Sequence, residues 1–369
     1  MHIVVMIGTR PEAIKMAPVV RALKEDPKHQ VTLCASGQHR EMLNQALADF
    51  DLVPDINLDV MVHDQGLSEL TAKIIAGVGG VLSSLKPDWL LVQGDTTTVM
   101  AASLSAYYQN IRVGHVEAGL RSFNKRAPFP EEMNRRVTSV LADFHFAPTL
   151  QAQENLLNEG IDAKSVVVTG NTVIDALLWM REKVQKDSSL LPEPVQRAKA
   201  QDKKIILVTC HRREVLGEPL EQIFLGLRSV AQRNPNCLIV YPVHLNPRVQ
   251  MVAKKLLSSE PHILLTEPLA YKPFVALLNA SDFVVSDSGG IQEEAPALQK
   301  PVLVLREVTE RPEGVQAGVA KLVGSDARRI QEECEILLQD PKAYQRMSQG
   351  GSPYGDGQAS ARIRKVLFG

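Results

Sequence analysis

Short apolar runs rich in β-branched residues alternate with helical patterns along the whole chain, and this alternation limits the fold more than any other feature. Candidate strands occupy 2–7, 30–35, 88–93, 111–116, 144–147 and 165–169. Helical patterns lie between them at 11–24, 40–50, 68–85, 98–109, 131–141 and 150–158. The stretch 183–204 is polar, carries two prolines and reads as a linker. A second series follows, with strands at 205–209, 237–242, 262–265, 283–286 and 302–305. Its helices fall at 220–232, 247–256, 273–279, 292–298, 326–338 and 358–367. Strands apolar on both faces and separated by helices belong in a parallel sheet. The expected fold is therefore α/β, with two Rossmann-like domains, 1–170 and 171–356. In doubly wound sheets the ligand lies outside the carboxyl ends of the strands; with two facing domains it lies in the cleft between them.

Composition narrows what such a chain binds. Lys and Arg number 41 against 42 Asp and Glu, a formal net charge of −1. No global basic field serves nucleic acid or an anionic membrane, so neither is an expected partner, and a polyanionic ligand needs a local cluster. Cys34, Cys210, Cys237 and Cys334 are widely spaced and form no C-x-x-C pair, which reads as free thiols in a reducing cytosol. Cys210 precedes His211, but neighbours along a strand point to opposite faces, so a core thiol is the better reading than a Cys/His nucleophile. The chain opens on a strand without the n- and h-regions of a signal peptide, and no apolar run reaches the length of a membrane span. The expected location is the cytoplasm.

The strand ends carry the polar chemistry. The first is followed by Gly8-Thr9-Arg10-Pro11-Glu12, a tight turn into a helix whose free N–H groups suit an anion, with Arg10 and Lys15 adding charge. A capped turn with solvated basic residues explains the same pattern. The strand at 88–93 runs into Gly94-Asp95-Thr96, where Asp95 reads either as a helix cap or as a functional carboxylate. His115 and Glu117 follow at the end of the strand at 111–116, and Glu131 and Glu132 open the helix at 131–141. Carboxylates at a helix start suit the dipole. Read together, Asp95, Glu117 and Glu131 come from one edge of one sheet, the arrangement for proton transfer. No spacing resembles a metal motif such as H-E-x-x-H, and neither G-x-G-x-x-G nor a P-loop occurs, so no metal or redox cofactor is expected. In the second half, Cys210-His211-Arg212-Arg213-Glu214 reads as a phosphate grip or as a solvated charge cluster. Asp287-Ser288-Gly289-Gly290 brings backbone N–H groups close to a phosphate, with Glu293 and Glu294 one turn on for ribose hydroxyls, or is an ordinary glycine-rich turn. Arg311 lies in the loop after the next strand.

GTRPEAIKMAP, GQHREML, QGDTTT, GHVEAGLRS, PFPEEMNRR, TGNTVIDAL, CHRRE, SDSGGIQEEAP and TERPEGV occur in this order. Together, over almost the entire chain, they closely resemble the bacterial non-hydrolysing UDP-N-acetylglucosamine 2-epimerases. The resemblance implies a glycosyltransferase-B-like fold, a last helix at about 357–369 that packs back on the first domain, and a homodimer. It implies reversible interconversion of UDP-GlcNAc and UDP-ManNAc without a cofactor, through elimination of UDP and re-addition to 2-acetamidoglucal. It assigns Asp95, Glu117, Glu131 and His211 to catalysis, His211 at the diphosphate. Arg10 and Lys15 are implied at phosphate and sugar; Ser288, Gly289 and Gly290 at the phosphates; Glu294 at the ribose; Arg311 at the sugar or phosphate side; Leu269 and Phe274 at the uracil. Leu269 stands where the family often has glutamine, which leaves a backbone contact to the base. Gln38, Glu41, Arg212 and His244 match positions of a second, activating UDP-GlcNAc site, and Gln65 stands where some members have arginine. A glycosyltransferase, a hydrolysing epimerase and a nucleotide-sugar sensor are the competing readings; the three carboxylates weigh against the sensor.

Overall fold

The computed structural model describes residues 1–37, 40–60 and 65–369, with the side chains of all but Arg40, Glu41, Met42 and Arg213. The chain divides into two compact units, Met1–Ala176 with Tyr354–Gly369, and Leu177–Pro353. Each is a parallel sheet flanked by helices.

The first unit contains β1 (His2–Ile7), β2 (Gln30–Ala35), β3 (Ile56–Asn57), β4 (Trp89–Gln93), β5 (Arg112–Val116), β6 (Phe144–Ala147) and β7 (Val166–Val168). Their order is β3-β2-β1-β4-β5-β6-β7. Growth of the sheet reverses between β1 and β4, where Ile3 is level with Trp89 and Val5 with Leu91. The turns after β1 and β4 thus open side by side at the switch point, where such sheets take ligands. Val4 and Met6 of β1 pack with Leu90, Val92 and Val113, under Leu70, Ile74, Val78 and Leu82 of the helix Leu67–Leu85. The four-residue spacing of those side chains puts them on one helix face. The helix Ala359–Phe368 packs on the helix Arg10–Lys24. Its first amides, Ala359 and Ser360, donate to the buried Asp175 carboxylate at 3.2 and 2.8 Å.

The second unit contains β8 (Lys204–Thr209), β9 (Cys237–Pro242), β10 (Ile263–Thr266), β11 (Phe283–Ser286), β12 (Val302–Val304) and β13 (Ala320–Leu322). Their order, β10-β9-β8-β11-β12-β13, places the switch point between β8 and β11. Ile206, Val208, Tyr241 and Val285 form the core with Phe224, Leu227 and Ile330.

The stretch expected as a linker is largely helical. The helix Thr172–Val184 runs into it, and Glu193–Ala200 forms another. Pro194 sits in the first turn, where no N–H is needed, and Val195 and Ala198 are buried. Two buried apolar side chains three apart anchor a helix that polar composition had hidden. No described helix is long and apolar enough to cross a membrane.

Candidate active site

At the first unit's switch point, close approach rather than backbone conformation demands glycine. A Cβ at Gly8 would lie 2.6 Å from Thr98 Oγ1 and 2.8 Å from Ser36 Oγ. The helix Arg10–Lys24 begins here with a capping box: Thr9 Oγ1 accepts from the Glu12 N–H at 3.4 Å. The Glu12 carboxylate in turn accepts from the N–H groups of Gly8 and Thr9 (the latter at 2.9 Å) and from Thr96 Oγ1 at 2.6 Å. The amides of the turn just ahead of the helix are therefore bonded by an internal carboxylate. Glu12 is only 2% exposed. Burial pushes its carboxyl up to about 7, with the charge of Asp95 adding, against the three hydrogen bonds that favour the charged form.

Glu117, directly after β5, is 8% exposed and has φ +63°. Its carboxylate accepts from Lys15 Nζ at 2.5 Å, from Asn171 Nδ2 at 3.0 Å and from Gln93 Nε2. A left-handed conformation in a non-glycine residue is a strained feature that surrounding contacts must hold in place. Gly94, φ +81°, lets the neighbouring turn close over it; a Cβ there would stand 3.6 Å from Glu117 Oε2.

Asp95 is no helix cap. Thr96 caps the helix Thr97–Tyr108, accepting from Val99 N at 3.4 Å. Asp95 instead pairs with Arg135 Nη2, and its carbonyl accepts from Asn134 Nδ2 at 3.0 Å. Both partners belong to the helix Glu131–Leu141, which is thereby docked on the turn after β4. Arg135 also reaches Glu132 at 3.3 Å, and Glu132 accepts from the N–H groups of Ser122 and Phe123 at 2.9 and 3.2 Å. Glu131 opens that helix with a buried Oε2 that has no hydrogen-bond partner among the described residues. Asp95 and Glu117 thus stand on the turns after the neighbouring strands β4 and β5, and Glu131 opens the helix that docks on the first of these turns. Buried His115 binds the Gly94 carbonyl through Nε2 at 2.7 Å, and burial lowers its pKa to about 3, so it stays neutral. Arg10 is half-buried at the turn after β1.

In the second unit, fully buried Asp287 follows β11 and joins both sides of the switch point. It accepts from His211 N at 2.7 Å and Arg212 N at 2.8 Å, with His211 Nδ1 3.4 Å from its other oxygen. His211 stacks on His244 at 5.2 Å between centroids. Burial lowers the pKa of His211; Asp287 opposes that shift, while His244 and Arg212 add to it. Burial raises the Cys210 thiol well above its usual range, in keeping with a core thiol. Ser288 N–H donates to Ser286 Oγ at 2.9 Å, and the helix Gly289–Ala297 starts without a side-chain cap on its amides. A Cβ at Gly289 would lie 3.5 Å from Arg212 Nη2 and 3.8 Å from Arg311 Cζ, so two guanidinium groups flank this helix start. Gly290 is exposed beside it. An uncapped helix N-terminus with small residues and two flanking guanidinium groups has the chemistry to receive an anion. Arg311 Nε is held by Glu293, and Glu294 accepts from Tyr271 Oη at 3.3 Å. That bond ties Glu294 to the helix Tyr271–Ala280, which carries half-buried Phe274 and follows half-buried Leu269.

Arg212 pairs with Glu310 at 3.2 Å, and exposed His244 accepts from Asn246 N at 3.1 Å. Gln65 is half-buried just ahead of the helix Leu67–Leu85. Gln38 and the side chain of Glu41 lie outside the described residues. Sequence reasoning assigned no role to Glu12, Gln93, Asn171, Arg135 or Asp287. For Glu12 alone a local signal existed, the Thr9-x-x-Glu12 pattern of a capping box.

The chain matches the protein family described as UDP-N-acetylglucosamine 2-epimerase over residues 21–368. It is 50% identical to the UDP-N-acetylglucosamine 2-epimerase of Salmonella typhimurium over 369 residues, covering 100% of this chain and 98% of that one. The crystal structure of the UDP-GlcNAc 2-epimerase from Neisseria meningitidis bound to UDP-GlcNAc is 48% identical and covers 100% of both chains, with a TM-score of 0.90. A glycosyltransferase of kitacinnamycin, 14% identical with a TM-score of 0.66, shares the glycosyltransferase-B-like fold alone. On sequence over its whole length and on structure, the chain belongs to the UDP-N-acetylglucosamine 2-epimerase family.

Proposed function

We propose that this epimerase interconverts UDP-GlcNAc and UDP-ManNAc by elimination and re-addition. The C2 proton of the sugar is too weakly acidic to be removed alone. Departure of UDP from C1 makes that carbon cation-like and acidifies C2–H. A carboxylate takes the proton as the C1–O bond breaks, giving UDP and 2-acetamidoglucal. A UDP oxygen then attacks C1 from the position it left, while a proton is delivered to C2 on the opposite face. UDP must stay bound throughout, which calls for a firm diphosphate seat and acid/base groups for both faces of C2. The anion seat at Gly289 with Arg212, Arg311 and His211 answers the first need, and Asp95, Glu117 and Glu131 the second.

The observation that carries the reading is Glu117: a buried carboxylate in a strained backbone conformation, supplied with Lys15, Gln93 and Asn171 as donors. The same proposal includes a cytoplasmic homodimer that supplies UDP-ManNAc for cell-surface polysaccharide. It also includes activation by a second UDP-GlcNAc at Arg212 and His244, visible as a lag with purified UDP-ManNAc that traces of UDP-GlcNAc remove. Proton NMR of UDP-GlcNAc incubated with the protein in D2O tests the reaction. UDP-ManNAc carrying deuterium at C2 is the expected product. Unexchanged UDP-GlcNAc overturns the reading, and release of UDP with free sugar replaces it by hydrolysis.

A further inference from the structure

We infer that Glu12 is a positioning residue: an internal carboxyl group that bonds the turn after β1 just ahead of its helix and ties that turn to the turn after β4, where Asp95 stands. The inference rests on the function proposed above. Its geometry involves both oxygens. Oε2 accepts from the Gly8 and Thr9 amides, while Oε1 accepts from the Thr96 hydroxyl at 2.6 Å. Thr96 directly follows Asp95 and caps the helix Thr97–Tyr108. One side chain therefore joins two neighbouring strand ends and two helix starts.

Two consequences follow for the reaction. The amides of the turn that would otherwise face a phosphate, those of Gly8 and Thr9, already bond an internal carboxyl group. The second unit differs, because Ser288 leaves the amides at the start of Gly289–Ala297 without a side-chain cap. Glu12 thereby leaves the first unit's switch point to sugar chemistry and favours the second unit for the diphosphate. It also fixes the turn that carries Asp95, whose carboxylate must meet C2 within a fraction of an ångström. Water is a poor substitute for these bonds, since Glu12 is 2% exposed. Burial pushes its carboxyl up to about 7, consistent with hydrogen-bond geometry rather than fixed charge being its contribution.

Glu12→Ala and Glu12→Gln separate the possibilities. The Gln side-chain oxygen accepts from both amides while its NH2 donates to Thr96 Oγ1, so that variant retains the tie. Expected for Glu12→Ala is a fall in kcat of at least about tenfold, with KM and calorimetric UDP affinity within about twofold of wild type. Glu12→Gln is expected to restore most of kcat. A Glu12→Ala rate equal to wild type, or a Glu12→Gln variant as slow as Glu12→Ala, overturns the inference. If Glu12→Ala does not fold, Thr96→Val removes the hydroxyl that bonds Glu12, together with its cap on Val99 N; its kcat must fall at unchanged KM, with Thr96→Ser recovering it, and a wild-type rate in Thr96→Val is again fatal. Amide hydrogen exchange at Gly8 and Thr9 is independent of turnover: Glu12→Ala must speed it and Glu12→Gln must not. Should the wild-type chain show no C2 exchange, the proposed function falls, and the amide arm still decides the role of Glu12.

Discussion

Lys15 Nζ stands 2.5 Å from Oε1 of Glu117, linking the helix after β1 to the turn after β5 across 102 residues of sequence. The pair sets the state in which Glu117 waits. A carboxylate buried to this degree keeps its charge only if donors replace water. Lys15 supplies a formal positive charge, and the amides of Gln93 and Asn171 supply further hydrogen bonds.

Glu117→Gln keeps the shape of the side chain and removes its basicity. The expected loss of kcat is about 10²–10⁴-fold, the usual size of a general acid–base contribution. UDP affinity, measured by calorimetry, should stay within a few-fold. Lys15→Met removes this charged hydrogen bond from the carboxylate, and a loss of about 1.5–3 kcal/mol in urea unfolding is expected. Wild-type turnover in Glu117→Gln would remove Glu117 from the chemistry.

Asp287 is the corresponding fixture of the second unit, because it holds the backbone of His211 and Arg212 at the edge of β8. Asp287→Ala frees that loop. UDP affinity is expected to fall at least about tenfold, and stability by about 1–3 kcal/mol for two part-buried amides left unmet. Asp287→Asn still accepts both N–H groups and should recover most of the affinity. Equal losses in both variants would assign the effect to charge instead.

Glu12 and His115 make stability depend on pH with opposite signs. Glu12 binds its proton more tightly in the folded chain, near 7 against 4.5 unfolded. Its contribution is complete below 4.5 and is lost as pH rises through about 7. The ceiling on that change is about 3 kcal/mol, from 1.36 kcal/mol per unit. Buried His115 is depressed from 6.5 to about 3. Its contribution is present above 6.5 and is lost as pH falls toward 3. Urea midpoints across pH check both: Glu12→Gln should gain on wild type from 4.5 to 7, and His115→Gln should gain from 6.5 downward. Parallel curves for wild type and a variant would refute that residue's share.

The same contrast explains what the sequence made legible. The long alternation of apolar runs and helical patterns located β1, β2, β6, β9 and β11 at their observed bounds, because strands buried on both faces leave a strong local signal. The edge strands β3 and β13 span two and three residues, too few to set a period, and only pairing with β2 and β12 makes them strands. Motifs at strand ends pointed to Asp95, Glu117, Glu131 and His211 through their place in the chain. The groups that hold them did not show, because Lys15–Glu117, Arg135–Asp95 and Asn171–Glu117 are long-range contacts that exist only once the sheet has ordered its strands. The two turns show the same limit: a glycine-rich turn into a helix looks alike in sequence whether a side chain bonds its amides, as Glu12 does at Gly8 and Thr9, or no side chain caps it, as at Gly289.

Glu293 directs Arg311, and that arrangement predicts a split between binding and turnover. The carboxylate is almost fully buried and accepts from Arg311 Nε, which leaves the guanidinium 3.8 Å from the position of a Gly289 Cβ. Arginine recognises phosphate through a planar fork, so rotation about its stem removes the match while keeping the charge. Glu293→Gln still accepts one hydrogen bond but gives up the ionic one. Its KM for UDP-GlcNAc is expected to rise about three- to tenfold, the loss of part of one charged hydrogen bond, with kcat little changed. Arg311→Lys should raise KM by more than Glu293→Gln, since a point charge cannot reproduce the fork. The double variant should then be no worse than Arg311→Lys alone, because Glu293 acts through Arg311. Additive losses in that cycle would show that Glu293 contributes through another partner.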